Sequence, residues 1–204
     1  MRKFTRLTGI AAPLHRPNID TDAIIPSREM KRVSKRGLGQ GLFANWRYDD
    51  VGERREAPDF VLNRAPFRTA PILIGGPNFG CGSSREHAVW ALVDFGMRCV
   101  IAPSFGAIFQ GNCVRNGLLP VALDPATVAE LADRAEAAPL CLTIDLIETR
   151  VTLPGGASHR FALPPGDREM LLEGLDPIAV SAKRLTEIDA FETTHLQRYP
   201  WVGL

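Results

Sequence analysis

The 204-residue sequence has no apolar run approaching the ~18 residues that a membrane-spanning helix needs, so no membrane segment is expected. It has no excess of one charge either. Lys and Arg number 24 against 23 Asp and Glu, a net charge of +1, and this balance argues against a global nucleic-acid footprint. Aromatic residues make up only 7% of the chain, and no internal repeat or low-complexity tract occurs. The four cysteines, at 81, 99, 113 and 141, form no CxxC pair, and no histidine cluster supplies zinc spacing. The basic start, Met1-Arg2-Lys3, is not followed by an apolar segment, so no secretory signal is expected and the thiols are read as reduced and cytoplasmic. Cys99 and Cys141 lie in apolar, strand-like runs and are expected in the core.

What is present is an ordinary globular composition, 45% hydrophobic and 23% charged, with 16 prolines and 18 glycines spread along the chain. A chain of this length can bury roughly 70% of its unfolded surface without disulfide or metal. A strand is predicted around Thr5–Ala12, then a turn-rich run from His15 to Asp22. Residues 27–70 are charged, rich in arginine and poor in periodicity; so long a connection is usually a functional loop. From Pro71 the pattern turns α/β. Strands are expected at Ile72–Ile74, Cys99–Ala102 and Leu118–Leu123. Helices are expected at Ser84–Phe95, Ser104–Asn112 (capped by Ser104) and from Asp124-Pro125 to about Ala137. Leu140–Leu153 and His159–Leu163 read as a hairpin across Pro154-Gly155-Gly156, followed by helices near Asp167–Glu173 and Pro177–Leu196. The whole is an α/β fold with a mixed sheet flanked by helices and a C-terminal helical extension over 165–204.

Three segments concentrate chemistry. Gly75 to His87 joins a strand to a helix through Gly80-Cys81-Gly82-Ser83-Ser84-Arg85-Glu86. Glycines there allow close backbone approach, and serines at a helix start meet free N–H groups that favour negative charge. Arg85 adds a guanidinium fork suited to a carboxylate. The run is neither a Walker loop, a GxGxxG fingerprint nor a GxSxG elbow. Spacing alone leaves a helix capping box and an anion-holding, hydroxyl-activating loop both open. Asn18 to Pro26 places Asp20 and Asp22 around Thr21, which by itself reads as an Asx turn. Arg28, Lys31, Arg32, Lys35 and Arg36 would form one cationic stripe on a helix. A solvated face is the ordinary meaning of such a run; a nucleic-acid patch is the sharper one, but the stripe lacks the interleaved aromatics of a single-strand groove, and a small polyanionic substrate would also explain it.

Taken together, Asn18–Pro26, Gly37–Phe43 with Trp46-Arg47-Tyr48, Gly80–His87, Ser104-Phe105 with Ile108-Phe109, and Asn116–Pro120 resemble, in order and over most of the chain, the small subunits of 3-isopropylmalate dehydratase in the aconitase superfamily. The resemblance implies a single swivelling β/β/α domain over 1–204; within it the long, charged, glycine-bearing connection 27–50 is expected to be a mobile substrate loop. It implies no metal bound by this chain, and a [4Fe–4S] cluster carried by a separate large subunit. It also implies a small dicarboxylate substrate moved between 2- and 3-isopropylmalate through isopropylmaleate, with neither nucleic acid nor membrane as partner. Residue by residue, Ser83 is the base, Ser84 and Arg85 hold a substrate carboxylate, and Thr21 and Asp22 lie beside that site, Asp22 orienting a cation. Arg32, with Arg36 as the alternative, is the substrate arginine of the following segment; the chain departs from many relatives there in having Lys35-Arg36 before Gly37. Met30 and Val33 are read either as contacts to an isopropyl group or as core. The alternatives are a related hydro-lyase subunit for citraconate, dimethylmalate or another methylated dicarboxylate, and a non-catalytic carboxylate-binding module.

Overall fold

The computed structural model describes residues 1–31, 34–82 and 85–202. In chain order the elements are β1 (Arg6–Leu14), α1 (Thr21–Ile24), α2 (Ala44–Arg47), β2 (Tyr48–Asp50), β3 (Arg55–Glu56), β4 (Ile72–Gly75), α3 (His87–Phe95), β5 (Cys99–Ala102), α4 (Ala107–Arg115), β6 (Leu119–Ala122), α5 (Pro125–Ala137), β7 (Cys141–Asp145), β8 (Arg150–Thr152), β9 (Ser158–Arg160), α6 (Pro165–Glu173), α7 (Pro177–Ala182) and α8 (Leu185–Arg198). Single 3₁₀ turns occupy Ser27–Met30, Leu38–Gly41, Val61–Asn63, Phe67–Thr69 and Pro200–Val202.

Seven strands make one mixed sheet in the order β6-β5-β4-β1-β7-β8-β9, and β2 and β3 form a separate small hairpin. β1 serves two partners in succession. Its first half pairs antiparallel with β7, from Arg6 opposite Asp145 to Ile10 opposite Cys141. Its second half pairs parallel with β4, from Ala11 opposite Ile72 to Leu14 opposite Gly75. β4, β5 and β6 continue the parallel half. Successive residues alternate between two apolar layers, as the period of a strand requires. Leu73, Ala12 and Val100 join α3 and the 38–67 region on one face. Ile72, Ile74 and Ile101 join Val128, Leu131 and Ala135 of α5 on the other. With both faces covered, the parallel strands read as continuous apolar runs.

The mixed sheet, flanking helices and C-terminal helices agree with the expected α/β fold, and α5 starts where Asp124 and Pro125 place it, the Asp124 carboxylate accepting the Thr127 N–H at 2.9 Å. Several local expectations are corrected. α3 begins at His87 rather than Ser84, and Glu86 at its N-cap position makes no side-chain cap. α4 begins at Ala107; Ser104 does not cap it, its Oγ instead accepting the Asn78 N–H at 2.8 Å. Leu140–Leu153 is itself a hairpin, folded at Asp145–Thr149, where the Asp145 carboxylate accepts the Glu148 N–H; β7, β8 and β9 are therefore a meander. The last expected helix is two, α7 and α8, broken at Lys183 and Arg184, where Lys183 turns back to Glu169 and Glu173 of α6. Cys141 is exposed, not core, because the strand's inward positions are Leu142 and Ile144.

Among the described residues the cationic stripe is not seen. Ser27–Met30 makes a 3₁₀ turn, and the cations aim at different partners: Arg28 at Asn45 and Glu29, Lys35 at the Trp90 ring, 4.6 Å away. The second half of the expected substrate loop 27–50 contributes to the core. Leu38, Leu42, Phe43 and Ala44 are fully buried, and Tyr48 nearly so.

Candidate functional site

The parallel half of the sheet sends the chain out of β1, β4 and β5 at one edge, and the three following segments cross there. Residues 77–81 run between the other two. On one side the Pro77 carbonyl accepts the Asn18 N–H (2.9 Å), Gly80 donates its N–H to Ile19 (2.7 Å), and Thr21 donates its own to Cys81 (3.0 Å). On the other, Phe79 donates to the Ser104 carbonyl (3.0 Å) and accepts from Gly106 (2.9 Å). Phe79 is fully buried against the rings of Phe105 and Phe109. Gly80 has φ +72°, and a Cβ there would stand 2.1 Å from the Phe109 ring, so both dihedral and space require glycine.

Asp20 caps α1, its carboxylate accepting the Ala23 N–H at 2.7 Å. Asp20 is thus a helix N-cap rather than the expected Asx turn, and Asp22 is left for another task. Thr21 is buried beneath the crossing, 1% exposed. Asp22, the second residue of α1, forms an ion pair with Arg85. Arg85 keeps about a third of its side chain in solvent, and Asp22 more than half. An exposed pair of this kind contributes little to stability, so it reads as an orienting contact. A guanidinium has five N–H donors, and one carboxylate partner leaves others to offer a ligand.

The structure therefore brings Thr21, Asp22 and Arg85 together. Ser83, Ser84 and Arg32, with Val33, lie outside the described residues. Arg36 is not brought to Asp22; with Lys35, Trp90, Val93, Asp94 and Asn116 it lines a separate cavity of about 420 Å³ on the far side of α3. Met30 packs partly buried against the core. Glu86, just before α3, does not cap the helix; its carboxylate accepts from Asn116 Nδ2 at 2.6 Å.

Two residues quoted for the resemblance had no role assigned from sequence. Arg47 donates to Asn63 Oδ1 and to the Gly39 carbonyl (both 3.1 Å), and burial lowers its pKa. It organises 38–63, and its place in an aromatic Trp-Arg-Tyr run was the signal. Asn116 ends α4, and its signal was the following Gly117.

The described residues contain no group of three His, Cys, Asp or Glu able to hold a metal. Cys99 and Cys113 are buried, and burial pushes both thiols up, away from the thiolate a cluster needs. Cys81 is half-buried at the crossing and Cys141 exposed on β7. These four do not fit an iron–sulfur cluster.

Residues 1–126 match the family model of the aconitase C-terminal domain. A protein of Cupriavidus necator named 3-isopropylmalate dehydratase small subunit is 58% identical over 204 residues, covering 99% of this chain and 98% of that protein. The chain belongs to this family. A small subunit of the same name from Rhodospirillum centenum is 51% identical over 202 residues, again with 98% of both chains covered. Among solved structures, a 3-isopropylmalate dehydratase of Methanocaldococcus jannaschii superposes with a TM-score of 0.66 over 91% of this chain and 98% of that one, at 24% identity, which speaks for the fold. The small-subunit names do not favour the related hydro-lyases or the non-catalytic module. No helix among the described residues is long and apolar enough to cross a membrane.

Proposed function

We propose that this chain is the small subunit of a cytoplasmic hydro-lyase that converts 2-isopropylmalate to 3-isopropylmalate through isopropylmaleate, in the synthesis of leucine, and that it acts only when joined to a large subunit carrying a [4Fe–4S] cluster. Near-complete alignment with small subunits at 51–58% identity supports the substrate. The observation that carries the site is the ion pair that brings Arg85, beside Ser83 and Ser84 in sequence, against Asp22 of the first motif. Since this chain's cysteines do not fit a cluster, the Lewis acid for the hydroxyl is expected of the partner.

In this reading Arg85 binds a substrate carboxylate with the donors that Asp22 leaves free. Asp22 keeps the guanidinium turned toward the crossing. Ser83 removes the proton next to the carboxylate, Ser84 contributes a hydrogen bond to the same carboxylate, Thr21 packs the crossing from below, and Arg32 meets the substrate from the preceding segment.

The test is the complex reconstituted anaerobically with its large subunit. Ser83→Ala should lower kcat by about 10²–10⁴-fold with KM little changed. Arg85→Lys should raise KM as well, since an ammonium cannot form the bidentate fork. Near-normal turnover of Ser83→Ala, with only a cap-sized loss of about 1 kcal/mol, would return the serine to a structural role.

A further inference from the structure

The segment Gly80–Glu86 touches α4 at both of its own ends. At the first, Gly80 lies on the Phe109 ring. At the second, Glu86 is held by Asn116, the residue that closes α4. Asn116 uses its full hydrogen-bonding capacity in doing so. Nδ2 donates to Glu86 Oε1 (2.6 Å) and to the Asn112 carbonyl (2.9 Å). Oδ1 accepts from Trp90 Nε1 (3.0 Å), and the Lys35 ammonium lies 3.5 Å away. Lys35 also sits 4.6 Å over the Trp90 ring. One half-buried amide thus joins the end of α4, the entry and middle of α3, and the basic segment after residue 27. α4 is nine residues long, about 13 Å, so its two ends hold the glycine–serine run at two separated points. Ser83, Ser84 and Arg85 lie in sequence between these anchors.

We propose that Asn116, acting through Glu86, is a positioning residue for the reaction: it fixes the exit of the Ser83–Arg85 segment while Phe109 fixes its entry. This rests on the reading of Ser83 and Arg85 given above. Asn116 touches no substrate. Without it the Glu86 carboxylate loses the Asn116 amide, and the exit of the segment that carries the base and the clamp is left to the α3 N–H groups that reach the Glu86 carbonyl and to the Asp22–Arg85 pair. A displacement of about 1 Å at a reacting group costs up to about 10²-fold in rate. Lys35 ties the 27–36 segment to the same amide, so that segment and the serine segment share one support.

The experiment is a double-mutant cycle on the reconstituted complex, with Asn116→Ala, Glu86→Ala and both together, assayed at 25 °C after the variants are shown to be folded and bound to the large subunit. Glu86→Gln serves as the conservative variant, and Ser83→Ala and Arg85→Lys run in the same assay. Each alanine variant should lower kcat by about 10–10²-fold. The double variant should be no slower than the worse single one, because both remove the same contact. Glu86→Gln keeps an acceptor oxygen for Nδ2 and should retain turnover within a few-fold of wild type. A purely structural amide would lower the melting temperature and leave kcat at 25 °C unchanged. Unchanged kcat in Asn116→Ala, or additive losses in the cycle, overturns the assignment whatever the serine does. If Ser83→Ala and Arg85→Lys keep full turnover while the cycle still couples in kcat, the reading of the serine and arginine fails and the positioning role of Asn116 stands.

Discussion

Residues 27–70 and residues 165–202 both lie outside the regular sheet, and they are built in opposite ways. The first has little regular structure: 3₁₀ turns, a four-residue helix and a two-stranded hairpin. Yet it places Leu38, Leu42, Phe43, Phe60 and Leu62 in the core, and Arg47 holds its turns together. The second is almost all helix, but after Leu171 no residue of α7 or α8 is buried. Ile178, Phe191 and Trp201 are two-thirds or more exposed, and Lys183, bonded to Glu169 and Glu173, joins α7 to α6. Regularity of the backbone and depth of anchoring are independent. A few large side chains secure an irregular segment, whereas an isolated helix of this length is marginal in water without a packed face.

The largest expected effect separates the two regions directly. Phe43 is fully buried against Trp46 and Phe60, and Phe43→Ala should cost about 3–5 kcal/mol in urea unfolding of the isolated chain. Phe191→Ala should change the same quantity by no more than about 0.5 kcal/mol. Equal losses would show that α8 is anchored after all. Next in size is Arg47→Ala. It removes the Arg47 donor from Asn63 Oδ1 and leaves the Gly39 carbonyl with the Leu42 N–H, and about 1–3 kcal/mol should be lost, read from the same urea midpoint.

The smallest effect is on pH. The Lys183 hydrogen bond holds the Glu169 carboxyl below its ordinary pKa, and the Arg68 hydrogen bond does the same for Glu56. A lowered carboxylate pKa contributes stability that is present above the unfolded pKa and is lost as pH falls through the folded one. Acidification below about pH 4 should therefore loosen both ties. Amide exchange followed from pH 7 to pH 3.5 should show protection lost in α7 and α8 and retained around Leu42 and Phe43, where apolar contacts do not titrate. Simultaneous loss in both regions would break the distinction.

The same contrast explains what the sequence disclosed. The buried strands and α5 were legible because their signals are local: apolar runs, and an Asp-Pro start. The meander turn at Asp145–Thr149 was hidden because it contains no glycine or proline; Thr149 itself adopts φ +50°. The depth of 27–70 was hidden because its anchors follow no period, being set by the faces of β1 and α3 that they meet. At the site, glycines, serines and arginine raised the expectation of an anion-holding loop, and the structure pairs Asp22 with Arg85. Which residue braced that loop was not visible. Asn116 is 30 residues from Glu86, and only the packing of α4 along the loop brings them together. The cationic stripe misled because a helical spacing was read into a stretch where Arg28 and Lys35 turn to different partners.

The two-faced pairing of β1 has a consequence for how the protein is made. Ala11 and Ile72 are neighbours only after 60 intervening residues have been synthesised, and Asp22 waits for an arginine 63 positions later. A nascent chain that has left the ribosome as far as Thr69 holds the first motif but has nothing to close it against. Long-range closure of this kind is slow and leaves unpaired strand edges exposed to aggregation. The crossing at the edge of β1 and β4 can therefore arise only once both strands have met, so an intact Asp22–Arg85 pair is a signature of a chain in which β1 has found β4.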